Sequence, residues 1–188
     1  MAKHEVKIGG LGGQGVILSG IIIGRAASIY DGKYATMTQS FGPEARGSAA
    51  SSELVIDDEP VAYPYVEKPD VLVVMARDAY NQYLPRLRDG GLLLYEEDLV
   101  PVDFELLKKR NITAYGIPAT RFAEELGRRI VLNIVMMGFF AAITGIVSPE
   151  SMEKAVLASV PKGTEKLNLR AFQKGLEYGR ELLQNKDK

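Results

Sequence analysis

The sequence predicts an α/β fold of the Rossmann-like, doubly wound type, in which a mainly parallel sheet with one hairpin lies between helices. Three observations favour it. A glycine-rich segment joins the first strand-like run to an apolar helix. Short apolar runs then alternate with helical segments, which is typical of parallel strands joined by right-handed crossovers. The length of 188 residues suits one domain, predicted to span residues 1–188.

The first strand and helix surround the glycine-rich segment. Glu5–Ile8 alternates polar and apolar residues, as a half-buried strand does, and leads into the glycine loop, defined as residues 9–15. The helix predicted at Val16–Ser28 is apolar on nearly every side, which indicates an element covered by its neighbours. After an Asp-Gly turn, Lys33–Met37 predicts a second short strand.

A long segment rich in glycine and small residues follows, Thr38–Ser51. Long irregular segments inside compact domains are usually functional, so we expect a functional loop here. Beyond it, Ser52–Ile56 and Val61–Tyr63 are separated by turn-forming residues and together predict a β-hairpin.

In the second half, the continuous apolar run Val71–Met75 predicts a central parallel strand buried on both faces. Thr120 is predicted to cap a helix that begins at Arg121, and Ser148 to cap one that begins at Pro149. The other predicted elements are a helix at Ala79–Leu87, a strand at Leu92–Tyr95, a helix at Glu105–Lys109, a strand at Ile112–Ile117 and a helix at Thr164–Leu183.

An uncharged run of eighteen residues, Ile130–Val147, is close to the lower length limit for a membrane span. Asn133, Gly138 and Thr144 interrupt it, and no second run of this kind exists. We therefore expect a helix buried in the core or against a partner subunit, and no membrane association. The polar N-terminus lacks the apolar segment of a signal peptide, which favours the cytoplasm.

Composition excludes several kinds of chemistry. The chain has no cysteine, which excludes disulfides and thiolate-bound iron–sulfur clusters. Its single histidine, His4, lies next to the N-terminus, so no Ser–His or Cys–His pair is expected. We expect no catalytic residue and no metal ligand in this chain. A formal net charge of −1 gives no reason to expect nucleic acid as a partner.

The glycine loop has the G-x-G-x-x-G spacing between a predicted strand and a predicted helix. Glycines allow a tight turn and a close approach of the backbone to a ligand, and the helix N-terminus presents free N–H groups to an anion. The candidate binding residues are therefore Gly10, Gly12, Gly13, Gln14 and Gly15. The alternative is that these glycines only pack the helix against the sheet.

The sequence lacks the motifs of two common nucleotide-binding sites. A Rossmann dehydrogenase needs an acidic residue at the end of its second strand, where this sequence has Thr38-Gln39-Ser40. A P-loop needs a Gly-Lys-Ser/Thr sequence, which does not follow the glycines.

A second loop, defined as residues 42–47, contains Gly42, Pro43, Glu44, Arg46 and Gly47. Arg46 offers five donors in a planar fork, which suits a phosphate or a carboxylate. Glu44 has two alternative interpretations: its carboxylate pairs with Arg46, or it pairs with a partner chain. Because both loops follow strands, we expect both at the carboxyl edge of the sheet, where ligands of doubly wound folds bind.

The two loops, in this order, resemble those of the gamma subunit of 2-oxoacid:ferredoxin (acceptor) oxidoreductases. Residues 9–15 match the Gly-Gly-x-Gly-Gly-Gln-Gly loop of that family, and residues 42–47 match its Gly-Pro-Glu-x-Arg-Gly segment. The resemblance covers the whole chain, including a helix with Asn133 and Gly138. Met137 and Ser48 depart from the pattern, where the family often has leucine and glycine.

The resemblance implies a complex that converts a 2-oxoacid and CoA to an acyl-CoA and passes electrons to ferredoxin. It implies alpha and beta partner subunits, and in some complexes a delta subunit, which carry thiamine diphosphate, Mg and the iron–sulfur clusters. This chain is expected to hold no tightly bound cofactor and to have a structural or CoA-related role. The 2-oxoglutarate branch is favoured, while pyruvate, branched-chain oxoacids and indolepyruvate stay open.

Two alternatives come from other functional classes. In the first alternative, the chain is a stand-alone nucleotide- or CoA-binding module. In the second, it is an NAD(P)-dependent dehydrogenase. Binding of nucleotides or CoA by the lone chain would favour the module, and activity that depends on added NAD would favour the dehydrogenase.

Overall fold

One sheet of six strands organises the computed structural model, which describes residues 3–40 and 49–188. The strands are β1 (His4–Gly10), β2 (Tyr34–Ser40), β3 (Ala50–Asp57), β4 (Val71–Val74), β5 (Leu92–Glu96) and β6 (Thr113–Ile117). Their order across the sheet is β2-β3-β1-β4-β5-β6. Strands β1, β4, β5 and β6 are parallel, while β3 runs antiparallel to both of its neighbours. The predicted mainly parallel α/β fold is confirmed.

Helices cover both faces of the sheet. Those in the described ranges are α1 (Val16–Arg25), α2 (Arg77–Tyr83), α3 (Phe104–Lys109), α4 (Ala119–Glu125), α5 (Leu132–Thr144), α6 (Pro149–Ser159) and α7 (Glu165–Lys186). Residues from α1 and from α4 to α7 share one hydrophobic cluster with the sheet. Residues from α2 and α3 form a second cluster on the opposite face.

Strand β4 contributes side chains to the hydrophobic clusters on both faces of the sheet. Val71 and Val73 belong to the first cluster, whereas Leu72 and Val74 belong to the second. This alternation within an uninterrupted apolar run follows from the two-residue period of a strand covered on both faces.

The antiparallel part of the sheet differs from the hairpin that the sequence predicts. Val61–Tyr63 is not a strand; instead β3 pairs with β2, from Tyr34 opposite Asp57 to Ser40 opposite Ser51. Strands therefore take up both ends of the segment predicted as an irregular loop. The alternating pattern of β3 identifies a strand but carries no information about its partner.

The apolar run from Ile130 forms α5, which is buried along most of its length and packs closely against α7. A methyl group on Gly175 of α7 would overlap the Val135 carbonyl oxygen of α5, and one on Gly138 would overlap the Phe172 carbonyl oxygen. The backbones of α5 and α7 are therefore in direct contact where the two helices cross. No helix among the described residues has the length and hydropathy to cross a bilayer.

One of the two predicted helix caps is present in the structure. Ser148 accepts a hydrogen bond from the Ser151 amide at 3.2 Å and caps α6, as predicted. The predicted cap at Thr120 is wrong, because α4 already begins at Ala119 and the Thr120 hydroxyl donates to Glu96 instead. Helix α1 continues as a π-helical turn, Ala26–Tyr30.

Candidate functional site

The glycine loop lies at the carboxyl edge of the parallel strands. Strand β1 ends at Gly10 and α1 begins at Val16, so the loop spans the edge where β4, β5 and β6 also end. Ligands of open α/β sheets bind beyond this edge. The predicted position of the loop, between a strand and a helix, is confirmed.

The middle of the loop is not covered by any other described residue. A Cβ atom built on Gly12 or Gly13 would meet no atom of the described residues within 4 Å. Gly13 has φ +86°, in the left-handed region that glycine adopts without strain. Among the described residues, the amides of Gly12, Gly13 and Gly15 have no hydrogen-bond acceptor. The first turn of α1 contains no acidic residue, so the partial positive charge of its N-terminus is not offset there.

The side chain of Gln14 makes two hydrogen bonds within the chain. Its Oε1 accepts a hydrogen bond from the Leu11 amide at 2.7 Å, and its Nε2 donates to the Met75 carbonyl oxygen at 2.9 Å. The side-chain amide thus joins the two ends of the turn and ties it to the end of β4. In this structure, the Gln14 side chain holds the shape of the loop.

Helix α5 forms the base of the loop. Asn133, in the first turn of α5, donates from Nδ2 to the Gly15 carbonyl oxygen at 3.4 Å. A Cβ atom on Gly15 would overlap the Asn133 side chain, and Gly15 itself has φ +74°. Glycine is therefore required at position 15 for packing as well as for backbone conformation.

The second loop, residues 42–47, lies outside the described residues, and so do the candidate residues Gly42, Pro43, Glu44, Arg46 and Gly47. Its flanking strands are described. Ser40, at the end of β2, is opposite Ser51, and Ala50, at the start of β3, is opposite Gly10. The strand ends on either side of the second loop therefore lie at the same edge as the glycine loop.

A buried carboxylate at this edge escaped the sequence analysis. Glu96 ends β5 and is fully buried. It accepts hydrogen bonds from the Asp98 amide at 2.9 Å and from the Thr120 hydroxyl at 2.8 Å. Burial raises the pKa of Glu96, although these two hydrogen bonds oppose the shift. The adjacent acidic residues give Glu96 the pattern of an exposed charged turn, so the sequence offered no signal of burial.

The described part of the loop is suited to binding an anion. Backbone amides and a helix N-terminus attract an anion but donate no proton in a reaction. Among the described residues, the side chains that hydrogen-bond to the loop are the amides of Gln14 and Asn133 and the hydroxyl of Ser19, and none of them is charged.

The chain is similar to known proteins over nearly its whole length. Residues 5–178 match the family model described as pyruvate ferredoxin/flavodoxin oxidoreductase. The chain is 53% identical over 181 residues to the 2-oxoglutarate synthase subunit KorC of Methanocaldococcus jannaschii, covering 96% of each chain. It is 34% identical over 177 residues to the pyruvate synthase subunit PorC of Methanothermobacter thermautotrophicus, covering 92% of this chain and 94% of that protein.

A solved structure gives the same result for the fold. The gamma subunit of a keto/oxoacid ferredoxin oxidoreductase from Geobacter sulfurreducens superposes with a TM-score of 0.80 and 41% sequence identity. The match covers 94% of this chain and 98% of that one. Both the sequence resemblance drawn from the two loops and the predicted fold class are thus confirmed: this chain belongs to the pyruvate ferredoxin/flavodoxin oxidoreductase family.

Proposed function

We propose that this chain is the gamma subunit of a complex that oxidises 2-oxoglutarate and CoA to succinyl-CoA and CO₂, with two electrons passing to ferredoxin. The proposed substrate, 2-oxoglutarate, rests on one observation. Identity is 53% to a 2-oxoglutarate synthase subunit but 34% to a pyruvate synthase subunit, over nearly the same residues. Since the chain covers 96% of the first relative, the comparison concerns the whole subunit.

The redox chemistry is assigned to partner chains. Iron–sulfur clusters are held by cysteine thiolates, and this chain has no cysteine. Thiamine diphosphate supplies the stabilised carbanion that decarboxylation of a 2-oxoacid requires. Alpha and beta subunits, with a delta subunit in some complexes, would hold these groups, and the gamma subunit is inactive alone.

The glycine loop is the proposed contact with an anionic group, such as a phosphate of CoA. The amides of Gly12, Gly13 and Gly15 would bind it, with the N-terminus of α1 adding a favourable field. Gly10 and Gln14 would hold the shape of the loop. The second loop would complete the site through Arg46, together with Gly42, Pro43, Glu44 and Gly47.

The first experiment is affinity purification of the full chain from its native host under anaerobic conditions, with mass spectrometry of the co-eluting proteins. We expect cysteine-containing chains with a thiamine-diphosphate motif to co-elute. The purified complex would then be assayed with 2-oxoglutarate, pyruvate, branched-chain oxoacids and indolepyruvate. Highest kcat/KM with 2-oxoglutarate supports the proposal, and highest kcat/KM with another oxoacid overturns the substrate.

Elution of the chain alone at every salt concentration would overturn the subunit assignment. Titration of the isolated chain with CoA, NAD, FMN and ATP then tests the stand-alone module and the NAD(P)-dependent dehydrogenase. Micromolar binding of one of them, without partner chains, would favour the module.

Arg46 gives a sharper test of the second loop. If its guanidinium binds a phosphate or carboxylate, Arg46→Ala raises the KM of the assembled complex for CoA or for the oxoacid about tenfold or more. Arg46→Lys keeps the charge but loses the bidentate fork, so it should recover only part of the affinity. Poor assembly of Arg46→Ala instead would assign Arg46 to a subunit contact.

A further inference from the structure

The sheet has two edge strands, β2 and β6, which differ in their protection against pairing with a further strand. Strand β6 has five residues, Thr113–Ile117, and the Lys186 ammonium lies 4.1 Å from the centroid of the Tyr115 ring. A short edge strand and a lysine beside it are features that prevent pairing between sheets. Strand β6 is therefore a protected edge.

Strand β2 lacks these features. Its seven residues, Tyr34–Ser40, include no charged residue and no proline. It pairs with β3 one residue to one, from Tyr34 opposite Asp57 to Ser40 opposite Ser51, so no bulge bends it away. Among the strands that the structure describes, none lies on its outer side. The outer edge of β2 therefore presents a row of backbone donors and acceptors with which another strand can pair.

Exposed apolar side chains are concentrated beside this edge. The described residues include nine large hydrophobic side chains that are exposed, and four of them lie within residues 21–34, namely Ile21, Ile29, Tyr30 and Tyr34. Ile29 is 65% exposed and Tyr34 is 48% exposed. Gly20, which precedes Ile21 in α1, lies next to Met37 of β2, and the π-helical turn that contains Ile29 also packs against β2. Apolar side chains grouped in this way are typical of an interaction surface, whereas isolated ones are not.

The residues of β2 are complementary to a second copy of the same strand. Two copies pair over the full length of β2 when they run antiparallel about a two-fold axis at Met37. The directly opposed pairs are then Tyr34 with Ser40, Ala35 with Gln39 and Thr36 with Thr38, each occurring twice. Larger side chains lie opposite smaller ones in the first two pairs, and Thr–Thr pairs across strands are favourable. No charged residue is opposed to another, so no repulsion acts against this pairing.

We propose that the outer edge of β2 is an interface between two copies of this chain. The two β2 strands pair antiparallel about Met37 and join two six-stranded sheets into one continuous sheet. The exposed apolar side chains of α1, the π-helical turn and Tyr34 become covered at the same contact. This interface goes beyond the proposed function and does not depend on it, because pairing of two copies is a property of the full chain.

The first measurement is sedimentation velocity of the full chain at concentrations from about 1 to about 100 μM. We expect a dimer with a Kd in the micromolar range or below. A chain that stays monomeric at the highest concentration would overturn the proposal.

Two matched variants test whether the dimer uses β2. Tyr34→Lys/Ser40→Lys places lysine opposite lysine at two points of the proposed pairing, whereas Tyr34→Lys/Ser40→Glu places lysine opposite glutamate. Both variants lose the same tyrosine, and both positions are exposed, so the fold of the single chain should tolerate them. We expect the Kd of the first variant to exceed that of the second about tenfold or more at low salt, with the difference shrinking in about 1 M NaCl. Equal Kd values would overturn pairing through β2.

The protected edge supplies the control. Thr113 is exposed at the start of β6, and Thr113→Lys should leave the Kd at the wild-type value. A dimer that Thr113→Lys weakens, and that both variants of β2 leave intact, would assign the contact to β6 and overturn the proposal.

Disulfide formation tests the register, because the chain has no cysteine of its own. We would mix a chain carrying Tyr34→Cys with a chain carrying Ser40→Cys and oxidise the mixture. Directly opposed residues have Cα atoms about 4.5–5.5 Å apart, within the range of a disulfide, so the two chains should crosslink. In Ser40→Cys alone, the two cysteines would lie six residues apart along the paired strands, about 20 Å, and should not crosslink. Equal crosslinking in the mixture and in Ser40→Cys alone would overturn the register.

A strand of a different subunit is the alternative occupant of this edge. Native mass spectrometry of the purified complex should show two copies of this chain, and a single copy would overturn the proposal. A monomeric wild-type chain, together with failure of Tyr34→Lys/Ser40→Lys to enter the complex, would assign the edge to a partner subunit instead. If no complex is found, the subunit assignment fails, while sedimentation of the full chain still decides whether two copies pair.

Discussion

Gly12 and Gly13 are neighbours in the glycine loop, but an added methyl group would have different effects at the two positions. At both, no atom of the described residues lies within 4 Å of the place where a Cβ atom would be. Gly13 has φ +86°, whereas Gly12 lies outside the left-handed region. Alanine at position 12 therefore needs no change of backbone, while alanine at position 13 forces a strained conformation.

We expect Gly12→Ala to leave the free energy of unfolding within about 0.5 kcal/mol of the wild type, and Gly13→Ala to lower it by about 1 kcal/mol. Both variants should raise the KM of the complex for an anionic substrate, since the methyl group occupies the space in front of the amides. Urea unfolding and steady-state kinetics measure the two effects. A Gly12→Ala complex with wild-type KM would show that no ligand reaches the loop.

The glycine loop shows which features of the site could be predicted from the sequence and which could not. The glycines and their place between strand and helix were predictable, because strand–glycine–helix is a local pattern. The direction of the Gln14 side chain was not, because its partner Met75 lies 61 residues away. The burial of Glu96 was not predictable for the same reason, because its hydrogen-bond partner Thr120 lies 24 residues away.

At the scale of elements, the crossing of α5 and α7 depends on glycine. A Cβ atom on Gly175 would overlap the Val135 carbonyl oxygen, and a backbone group cannot rotate away as a side chain can. Gly24 of α1 is a suitable control, because the nearest atom to its Cβ would be Leu54 Cδ2 at 3.5 Å, an ordinary contact.

We expect Gly175→Ala to lower the free energy of unfolding by about 3 kcal/mol or more, through separation of the two helices. Gly24→Ala should be neutral or should stabilise the chain by up to about 1 kcal/mol, since alanine favours the helix. Urea unfolding of both variants measures the difference. Similar stabilities would contradict the close crossing.

Asp31 connects two other elements, the end of the π-helical turn and the start of α6. Its carboxylate accepts from the Ser148 amide at 2.9 Å, the Ser148 hydroxyl at 2.8 Å and the Ser151 hydroxyl at 2.5 Å. Burial by itself raises the pKa of Asp31. The hydrogen bonds and the Lys33 ammonium outweigh that effect, so the pKa lies below its ordinary value.

A lowered pKa in the folded state means that the unfolded chain binds the proton more tightly. The stability contributed by the Asp31 carboxylate is therefore complete above about pH 5 and is lost as pH falls below about 4, through the folded-state pKa. We expect Asp31→Asn to be less stable than the wild type by about 1–2 kcal/mol at pH 7, with the difference narrowing below pH 4. Urea unfolding between pH 3 and 7 measures it.

Asp58→Asn is the control for this pH dependence, because Asp58 is exposed in the bend after β3. Its stability should follow that of the wild type across the whole range. A constant gap between Asp31→Asn and the wild type from pH 7 to pH 3 would contradict the lowered pKa.

For the whole molecule, the sequence predicts the parallel half of the sheet better than the antiparallel half. Val71–Val74 must be buried on both faces because every residue of the run is apolar, and that places it at the centre. Strands β2 and β3 carry mixed patterns that several neighbours could satisfy. In the structure, β2 also packs against α1, where the Met37 side chain lies next to Gly20, a contact that the strand pattern does not reveal.

The two hydrophobic clusters lead to a prediction about the molecule as a unit. Strands β4 and β5 contribute side chains to both clusters, such as Leu93 to one and Leu94 to the other. Neither cluster can lose its packing without exposing the strands that the other needs. We therefore expect one cooperative unfolding transition, as for a single domain spanning residues 1–188.

Differential scanning calorimetry of the full chain tests this expectation. At roughly 0.7 kcal/mol per residue near 60 °C, 188 residues give an unfolding enthalpy of about 130 kcal/mol. The calorimetric and van't Hoff enthalpies should agree, and tyrosine fluorescence and far-UV circular dichroism should report the same midpoint. Two resolved transitions would instead assign each face of the sheet its own stability, and the α2–α3 face, with the smaller cluster, would be the first to unfold.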